Sequence, residues 1–308
     1  MASGSVLVLG AGGFIGGPLV VRIAARGRRV IAATRHSAAF PAGVEPRATG
    51  TLTAATDWAA LLAGADAVVH LASRAHQPPE RGETWIEAEA ATARALASAA
   101  RAAGVRRLVL VSSVKAHGGT GHFRASDPLR PADPYGRAKA AIEQAMGAAG
   151  EALVILRPPL VYGPGVKANF RALLRLSASG LPLPLACVDN RRSFVFLENL
   201  LDLIELALDD PGAAGQAFVL RDNRDVSSAE LVRLMARAMG RTSRLFPCPP
   251  WALRTAARLV GKGEAAVRLL EDLTVDDEPT RRALGWRPRI ALEDGLAATC
   301  RAYLSEAG

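Results

Sequence analysis

The chain has 308 residues, of which 50% are hydrophobic and 22% are charged, enough to bury a large core in one domain or two closely joined domains. This balance excludes a wholly disordered protein, and no apolar run reaches the roughly 18–20 residues that a membrane-spanning helix needs. Since the apolar N-terminus has no basic leader and is broken by glycines, we expect no secretory signal, no membrane partner and a cytoplasmic protein.

The net charge of +9 comes from basic residues that are distributed along the whole chain. A nucleic-acid-binding protein usually gathers such residues in one stripe, so we expect no nucleic-acid partner and assign the charge to the attraction of small anionic ligands. The three cysteines, Cys187, Cys248 and Cys300, are far apart and odd in number, and neither they nor the five histidines have metal-ligand spacing. We therefore predict no disulfide framework and no metal site.

Short apolar runs alternate with longer helical patterns in the first half of the chain, which predicts an α/β fold with a doubly wound parallel sheet of the Rossmann type. The runs are continuously apolar, as expected of strands that are buried on both faces. The predicted strands are Val6–Leu9, Arg29–Ala33, Ala67–Leu71, Arg107–Ser112 and Leu153–Leu156. The predicted helices between them are Phe14–Ala25, Thr84–Ala103 and Pro134–Ala149.

After about Pro164 the pattern becomes richer in loops and helices. We interpret the chain as a cofactor-binding Rossmann domain over residues 1–165, to which residues 193–220 return, and a smaller, mostly helical substrate lobe over residues 166–308. A cleft between two such lobes is where a ligand usually binds. The elements predicted here are strands Ser193–Phe196 and Ala217–Leu220, and helices Asn169–Ser177, Leu197–Leu208, Ser228–Met239, Trp251–Leu259, Ala265–Leu273 and Leu292–Leu304.

A glycine-rich turn directly follows the first predicted strand and leads into the first predicted helix. Its glycines have the spacing Gly-x-x-Gly-x-x-Gly. Glycine allows a tight turn and a close approach of backbone N–H groups to a pyrophosphate, and the helix N-terminus adds partial positive charge. We therefore predict that a nicotinamide dinucleotide binds this turn, at Gly10, Gly13, Phe14, Ile15 and Gly16.

The end of the second predicted strand bears on the choice between NAD and NADP. An Asp or Glu at this place would bind the ribose 2′-hydroxyl of NAD, and an Arg would suit the 2′-phosphate of NADP. The sequence here is Thr34-Arg35-His36, which has no carboxylate. We therefore expect Arg35 to contact the cofactor, and NADP(H) is favoured over NAD.

Tyr135 and Lys139 are one helical turn apart, so the phenol and the ammonium group share one face of a predicted helix. Ser113 follows the fourth predicted strand, at the edge of the sheet where ligands of doubly wound folds bind. An ammonium group about 5 Å from a phenol would lower the phenol pKa by roughly two units from its ordinary value of about 10. We therefore predict that these three residues are catalytic and that Tyr135 serves as the general base.

This set resembles the Ser-Tyr-Lys triad of the extended short-chain dehydrogenases, in the NAD-dependent epimerase/dehydratase family, and the likeness covers essentially the whole chain. The resemblance implies a sugar-nucleotide substrate whose hydroxyl proton is taken by Tyr135 as hydride moves to the nicotinamide. Ser113 would bond to the same substrate oxygen, and Lys139 would also hold the cofactor ribose. The chain has Ala88 where relatives often have Asn, so we expect the cofactor position to differ from theirs in detail.

Further motifs of that family are present. The segment His70-Leu71-Ala72 resembles a strand-end motif beside the cofactor, and Leu156–Gly165 resembles the family's Arg-x-x-x-Val-Tyr-Gly-Pro-Gly segment. The resemblance implies cofactor contacts by Leu71, Ala72, Tyr135, Lys139 and Pro158, and substrate contacts by Ser113, Lys115, Asn169 and Arg192.

The reaction remains open among a few alternatives. Related dehydratases have an Asp-Glu pair after the catalytic hydroxyl, whereas this chain has Ser113-Val114-Lys115, so we do not expect dehydration. The resemblance is greatest to UDP-glucose 4-epimerase-like proteins of bacterial polysaccharide loci, and we favour a UDP-sugar 4-epimerase. The alternatives are an NADPH-dependent reductase of a UDP-4-keto-6-deoxyhexosamine and a non-catalytic NADP(H)-binding regulator. Two alanine-rich predicted helices, Thr84–Ala103 and Pro134–Ala149, favour a homodimer.

Overall fold

The computed structural model describes residues 4–36, 39–72, 82–259, 261 and 263–307, without the side chains at 264, 265 and 307. Within these ranges the strands are β1 (Val6–Leu9), β2 (Val30–Thr34), β3 (Val44–Ala48), β4 (Ala67–His70), β5 (Arg107–Val111), β6 (Gly121–Phe123), β7 (Leu153–Arg157), β8 (Leu160–Tyr162), β9 (Phe194–Phe196), β10 (Ala217–Val219) and β11 (Leu273–Val275). The helices are α1 (Gly16–Ala25), α2 (Trp58–Leu62), α3 (Glu83–Ala102), α4 (Pro134–Met146), α5 (Ala168–Ala178), α6 (Leu197–Asp209), α7 (Ser228–Ala238), α8 (Pro250–Leu259), α9 (Gly263–Leu270), α10 (Glu278–Leu284) and α11 (Leu292–Ala307).

Seven strands form one parallel sheet in the order β10–β7–β5–β4–β1–β2–β3. In β1, Val6 and Val8 face a core shared with α1 and α6, whereas Leu7 and Leu9 face a core shared with α2, α3 and α4. Because successive side chains of a strand point to opposite faces, a sheet covered on both sides needs apolar residues at every strand position. This explains the continuous apolar runs, and the predicted doubly wound α/β fold is confirmed.

The strand order reverses between β1 and β4. From β1 the sheet continues through β2 and β3, and from β4 it continues in the other direction through β5, β7 and β10. The carboxyl ends of β1 and β4 are neighbours, with Leu9 in register with His70. In folds of this type the ligand crevice opens at such a reversal, beyond the carboxyl ends of the strands.

Two short parallel ribbons, β8 with β9 and β6 with β11, lie outside the large sheet. Tyr162, Phe194 and Phe196 from the first ribbon pack with α5, α7 and α11 in a third core. A fourth, smaller core lies beneath α8 and α9. Residues 217–219 join the large sheet through the pairing of β10 with β7, and the division of the chain at residue 165 stays a prediction.

Most of the predicted elements are present, with differences at their ends. The strand predicted at Arg29–Ala33 is β2, which begins and ends one residue later, and α4 ends at Met146 before a 3₁₀ segment over Gly147–Ala152. The prediction of one helix over Ala265–Leu273 was wrong at its C-terminal end. There α9 stops at Leu270, and Leu273 begins β11, because this segment pairs with β6.

Several elements were not predicted, namely β3, α2, β6, β8 and α10. The strand β3 has the sequence Val-Glu-Pro-Arg-Ala and is only half-buried at the edge of the sheet. An edge strand tolerates proline and charge because one of its sides is not hydrogen-bonded. It therefore has no continuous apolar run by which the sequence could have revealed it.

Candidate active site

The glycine turn at the end of β1 has no space for a side chain at Gly10 or Gly16. A Cβ atom on Gly16 would lie 2.2 Å from the backbone oxygen of Gly10, and one on Gly13 would lie 3.1 Å from the same oxygen. Gly10 has a φ of +88°, and a Cβ there would lie 2.9 Å from the backbone nitrogen of Ala72. Gly12 differs from these glycines, because a Cβ at this position would make only an ordinary contact with Thr34. The turn, the start of α1 and the segment after β4 therefore pack against one another through their backbones.

The residues present fit a dinucleotide at this edge. No side chain caps the N-terminus of α1 and its first turn has no acidic residue, so partial positive charge is available to a pyrophosphate. Phe14, Ile15, Leu71 and Ala72 are half-buried around the turn, as expected of residues that border a ligand.

His70, the last residue of β4, is buried at the same edge. Its Nδ1 atom has no hydrogen-bond partner among the described residues. Burial, and to a lesser extent the charge of Lys139, lowers the pKa of His70 to about 3. The imidazole is therefore neutral, and its Nδ1 can bond to a bound group.

Arg35 is exposed directly after β2, beyond the glycine turn. The Thr34 hydroxyl donates to the backbone oxygen of His36 at 2.6 Å, which closes the end of the strand. Residues 37 and 38 lie outside the described residues. The position of Arg35 at the end of the second strand is the one expected of a 2′-phosphate ligand.

The three predicted catalytic residues come together at the carboxyl end of β5. The Ser113 hydroxyl is hydrogen-bonded to the Tyr135 phenol. The Lys139 ammonium lies 5.8 Å from the centroid of the Tyr135 ring and donates to the backbone oxygen of Val111 at 3.1 Å. Pro158, a predicted cofactor contact, is buried behind this group and accepts from the backbone N–H of Val114 at 2.9 Å.

The expectation that Lys139 makes Tyr135 acidic was wrong for the arrangement seen here. Burial, with added repulsion from Asp133, raises the pKa of Tyr135 to about 12, although the hydrogen bond with Ser113 opposes this shift. Burial also lowers the pKa of Lys139 to about 8, against the opposing effect of Glu89 and Glu143. The helical spacing correctly places the two groups together, but it does not reveal how strongly burial penalises the phenolate. At neutral pH the phenol is therefore a proton donor.

A buried polar network lies directly behind this triad and was not predicted. Glu143 is one helical turn after Lys139 in α4; it accepts from the Ser112 hydroxyl and forms an ion pair with Arg157 at 2.8 Å. The Arg157 guanidinium also lies 3.0 Å from Nε2 of His117 and donates to the backbone oxygen of Ala125 at 2.7 Å. The network links α4 to the end of β5, the strand that positions Ser113.

Lys115, a predicted substrate contact, forms an ion pair with Asp133. Asp133 also caps α4 by accepting from the backbone N–H of Gly136 at 2.7 Å. Burial alone would raise the pKa of Asp133, but the bonds from Lys115 and Gly136 hold it below the ordinary value. Sequence reasoning missed Asp133, although an Asp before Pro134 at the start of a helix is a recognisable capping signal.

The predicted anion ligand Arg192 is buried and donates to the backbone oxygen of Glu271 at 3.0 Å. Burial, with repulsion from Arg268, lowers the pKa of Arg192 to about 10. The charge of Arg268 in α9 also contributes to the lowered pKa of Asp133, so Arg268 acts on both Arg192 and Asp133. Two arginines that repel each other favour an anion between them. Nothing in the sequence singled out Arg268.

Asn169, the other predicted substrate contact, is exposed in the first turn of α5. The preceding residue, Ala168, has a φ of +52°, which is unusual for a residue with a side chain. Such local strain is often found where the backbone is held for a ligand. The structure does not join Asn169 to the triad by any contact within the described residues.

Tyr162, the last residue of β8, and Asp222, which follows β10, form a buried junction. The Tyr162 hydroxyl donates to Asp222 at 2.7 Å. Asp222 also accepts from the backbone N–H of Phe196 at 2.9 Å and from Nδ2 of Asn199 at 2.8 Å. Burial raises the pKa of Asp222 despite these bonds.

Over the described ranges, no group of three His, Cys, Asp or Glu side chains could hold a metal ion. Cys187, Cys248 and Cys300 are free thiols. No helix in the same ranges is long and apolar enough to cross a membrane.

Comparison with known proteins identifies the family to which this chain belongs. The model of the NAD-dependent epimerase/dehydratase family matches residues 6–220. UDP-glucose 4-epimerase of Vibrio cholerae is 37% identical to this chain, over 97% of this chain and 95% of the relative. The chain belongs to the NAD-dependent epimerase/dehydratase family. It is a nicotinamide-dependent enzyme of the extended short-chain dehydrogenase type, as the sequence motifs predicted.

Two further relatives illustrate the range of the family. Ceramide reductase of Caulobacter vibrioides is 29% identical over 98% of this chain and 95% of the relative. The solved structure of MoeE5 in complex with UDP-glucose and NAD is 26% identical, with a TM-score of 0.76, and covers 99% of this chain and 100% of that one. The fold is thus shared along the whole length, while the named reactions differ.

Proposed function

We propose that this enzyme is a UDP-sugar 4-epimerase, which inverts the configuration at C4 of a UDP-hexose by oxidising the C4 hydroxyl to a ketone and then returning the hydride to the other face. The observation that carries the proposal is the meeting of Ser113, Tyr135 and Lys139 beside a glycine turn shaped for a dinucleotide. The Vibrio cholerae relative, named as a UDP-glucose 4-epimerase, supports the choice of reaction. We also propose that the enzyme acts in the cytoplasm, because its proposed substrate and cofactor are cytoplasmic metabolites.

The proposed chemistry follows from the protonation states. Bound oxidised cofactor supplies a hydride acceptor and a positive charge. To accept the proton of a substrate hydroxyl, Tyr135 must first lose its own proton to solvent. The positive charge of a bound oxidised cofactor beside Lys139, which is cationic below a pKa of about 8, would favour that phenolate. In the return step the protonated Tyr135 donates its proton to the C4 oxygen. Ser113, which already bonds to the phenol, would hold that oxygen in both directions.

We assign the cofactor to the edge formed by β1 and β4. The backbone of Gly10, Gly13, Phe14, Ile15 and Gly16 would bind the pyrophosphate, and Leu71, Ala72 and Pro158 would border the remainder of the dinucleotide. Lys139 would bond to the ribose next to the nicotinamide. Close packing of the turn, which leaves no room for a Cβ at Gly16, supports this assignment.

We assign the diphosphate of the substrate to Arg192 and Arg268, whose mutual repulsion a negatively charged ligand would relieve. Lys115, paired with Asp133, would face the sugar, and Asn169 would contact the substrate from the start of α5. Charge reversal at Arg192 should raise KM for a UDP-sugar far more than it changes the affinity for the cofactor.

The test of the reaction is incubation of the purified enzyme with UDP-glucose or UDP-N-acetylglucosamine, without added reductant. We expect the two C4 epimers to equilibrate, as followed by NMR of the anomeric protons. Absence of interconversion, combined with oxidation of NADPH in the presence of a UDP-4-keto-6-deoxyhexosamine, would contradict the epimerase and establish the reductase.

The second candidate, an NADPH-dependent 4-ketoreductase, is favoured by two observations. Arg35 directly follows β2 with no carboxylate beside it, and a consumable reductant is normally NADPH. The pKa of Tyr135, raised to about 12 mainly by burial, keeps the phenol in the form that protonates a ketone oxygen. We propose that NADP(H) is preferred to NAD. Arg35→Ala should then weaken NADP(H) binding about tenfold or more with little effect on NAD(H).

We also propose a homodimer formed through α3 and α4. Between these helices runs a surface groove of about 350 Å³ that is lined mainly by small residues, namely Ala90, Arg94, Ala141, Gln144, Ala145 and Ala148. Small side chains allow two pairs of helices to approach closely. Light scattering should give the mass of two chains, and Ala141→Arg should give the mass of one. A monomeric wild-type protein would contradict the proposal.

A further inference from the structure

Helix α8 lies on the surface with apolar side chains pointing outward. Trp251 is 69% exposed and Leu259 is 83% exposed, and no residue of α8 is fully buried. The inward side of the helix is provided by Leu253 and Ala257, which pack against the small fourth core. Trp251 and Leu259 therefore remain exposed to solvent, although the opposite side of α8 packs against the fourth core.

Helical geometry places the exposed residues on one side. At 100° per residue, Trp251, Thr255 and Leu259 lie within about 80° of one another and opposite Leu253 and Ala257. Arg254 and Arg258 flank this outward side. A helix with Trp and Leu on the outward side and arginines along its border has the pattern of a helix that lies in a membrane interface.

Neighbouring segments extend the same surface. The backbone of Leu183 donates to Arg244 and accepts from Phe246, at 2.8 and 3.0 Å, so these two loops run side by side. Leu183 and Leu245 belong to the same small core that α8 covers. On these loops Leu181 is 60% exposed and Phe246 is 45% exposed. We call Leu181, Phe246, Trp251 and Leu259, with Arg254 and Arg258, the α8 surface.

The stretch of the chain that contains α8 has basic residues but no acidic ones. Residues 231–263 contain six arginines and one lysine and no Asp or Glu. Among the arginines of the α8 surface, Arg254 is paired with Glu271, which lies outside this stretch. Basic residues without acidic residues in the same stretch therefore accompany the exposed Phe246, Trp251 and Leu259.

We propose that the α8 surface docks on an anionic phospholipid bilayer, with α8 lying in the plane of the interface. Charge complementarity supports this partner, because the cytoplasmic face of a membrane is negatively charged and the border of the α8 surface is basic. Trp251 and Leu259 enter the region between the headgroups and the acyl chains, where amphipathic aromatic rings are favoured. Nucleic acid is also anionic, but it does not account for an exposed Leu259 and Trp251.

This inference does not conflict with the finding that no described helix could cross a membrane. We expected no membrane partner because the sequence has no spanning segment, whereas attachment to a surface requires only an amphipathic helix with basic residues. It is also independent of the reaction that the enzyme catalyses. Vesicle binding can therefore fail or succeed whatever the outcome of the epimerase assay.

The experiment is flotation of the full chain with vesicles of phosphatidylcholine alone or of phosphatidylcholine mixed with phosphatidylglycerol. We expect the protein to float with the anionic vesicles and to remain in solution with the neutral ones, and high salt to weaken the binding. Trp251 is the most exposed tryptophan, since Trp58 and Trp286 are buried and Trp85 is half-buried. The fluorescence emission maximum of Trp251 should move to shorter wavelength when anionic vesicles are added.

Two variants and one control test the role of the surface. Leu259→Glu and Trp251→Ala should each reduce binding to anionic vesicles about tenfold or more, with unchanged cofactor affinity and melting temperature. Val21→Glu, at an apolar residue of α1 that is 50% exposed, introduces the same charge elsewhere and should leave vesicle binding unchanged.

Three results would overturn the proposal. One is absence of binding to anionic vesicles by the wild-type chain, and another is equal loss of binding in Val21→Glu. The third is a dimer in light scattering that Trp251→Ala converts to a monomer, because a second copy of the chain would then cover the α8 surface.

Discussion

At the proposed cofactor site, backbone atoms of the turn after β1 pack closely against the backbone at the end of β4, the neighbouring strand of the sheet. In the buried junction of Tyr162, Asp222 and Asn199, by contrast, side chains from distant segments make the contacts. A backbone site tolerates few substitutions at its glycines, but it serves any dinucleotide. A side-chain site can vary while the fold is kept, which agrees with a family of one fold and several named reactions.

The largest expected effect comes from a substitution in the glycine turn of the proposed cofactor site. Gly16→Val places a side chain 2.2 Å from the Gly10 oxygen, so the turn must open, and we expect loss of cofactor binding and a stability loss of about 3 kcal/mol or more. Gly12→Ala is the matched control, because its Cβ would make only ordinary contacts. Calorimetric cofactor titration and thermal unfolding measure both effects. Equal behaviour of the two variants would contradict a backbone site.

The corresponding change at the side-chain junction is Asp222→Ala. It leaves the Tyr162 hydroxyl, the Phe196 N–H and the Asn199 amide without their buried acceptor, so we expect a loss of about 3–5 kcal/mol in the free energy of unfolding. Tyr162→Phe removes one donor only and should cost about 1 kcal/mol. Chemical denaturation measures both values, and similar losses for the two variants would argue against a shared junction at Asp222.

The buried His70, at the end of β4, should make the free energy of unfolding depend on pH. Its pKa of about 3 in the folded chain lies below the ordinary value of 6.5, mainly because of burial. Between these values the unfolded chain binds a proton that the folded chain does not, so stability falls as the pH falls from 6.5 towards 3. His70→Asn should reduce this slope by about 1.4 kcal/mol per pH unit. An unchanged slope in denaturation at several pH values would show that the folded imidazole accepts a proton.

The smallest expected effect concerns the network behind the triad. Glu143 favours the cationic form of Lys139, whose pKa is about 8, so Glu143→Gln should lower that pKa. The alkaline limb of kcat/KM should then move to lower pH, by less than about one unit. The exposed Glu151→Gln is the control. A uniform loss of activity at every pH, with no shift of the limb, would mean that Glu143 has only a structural role.

The sequence was sufficient for most of the large sheet, because strands buried on both faces require continuous apolar runs. It was insufficient where an element depends on a distant partner. β11 forms only because Leu273–Val275 pairs with residues 121–123, far away in the chain, so local periodicity wrongly extended a helix through it. Edge strand β3, with Pro46 and two charged residues, has no apolar run at all.

The same distinction holds for the site. Local spacing predicted the glycine turn and the Tyr135–Lys139 pair, both of which depend on a single strand or helix. It missed Arg268, whose position near Arg192 depends on how Ala266 and Leu270 pack α9 onto the fourth core. It also misjudged the pKa of Tyr135, because burial is a property of the folded chain and is not visible in an i, i+4 spacing.

The most direct test of the central claim compares Tyr135→Phe with the wild-type enzyme in two measurements, turnover of a UDP-sugar and cofactor affinity. If Tyr135 transfers the proton to and from the C4 oxygen, turnover should fall at least about 100-fold while the dissociation constant of the cofactor changes by less than about twofold. Retention of full activity in Tyr135→Phe would contradict the account. A wild-type protein that binds the cofactor but turns over neither UDP-sugars nor their 4-keto derivatives would instead support the regulatory alternative.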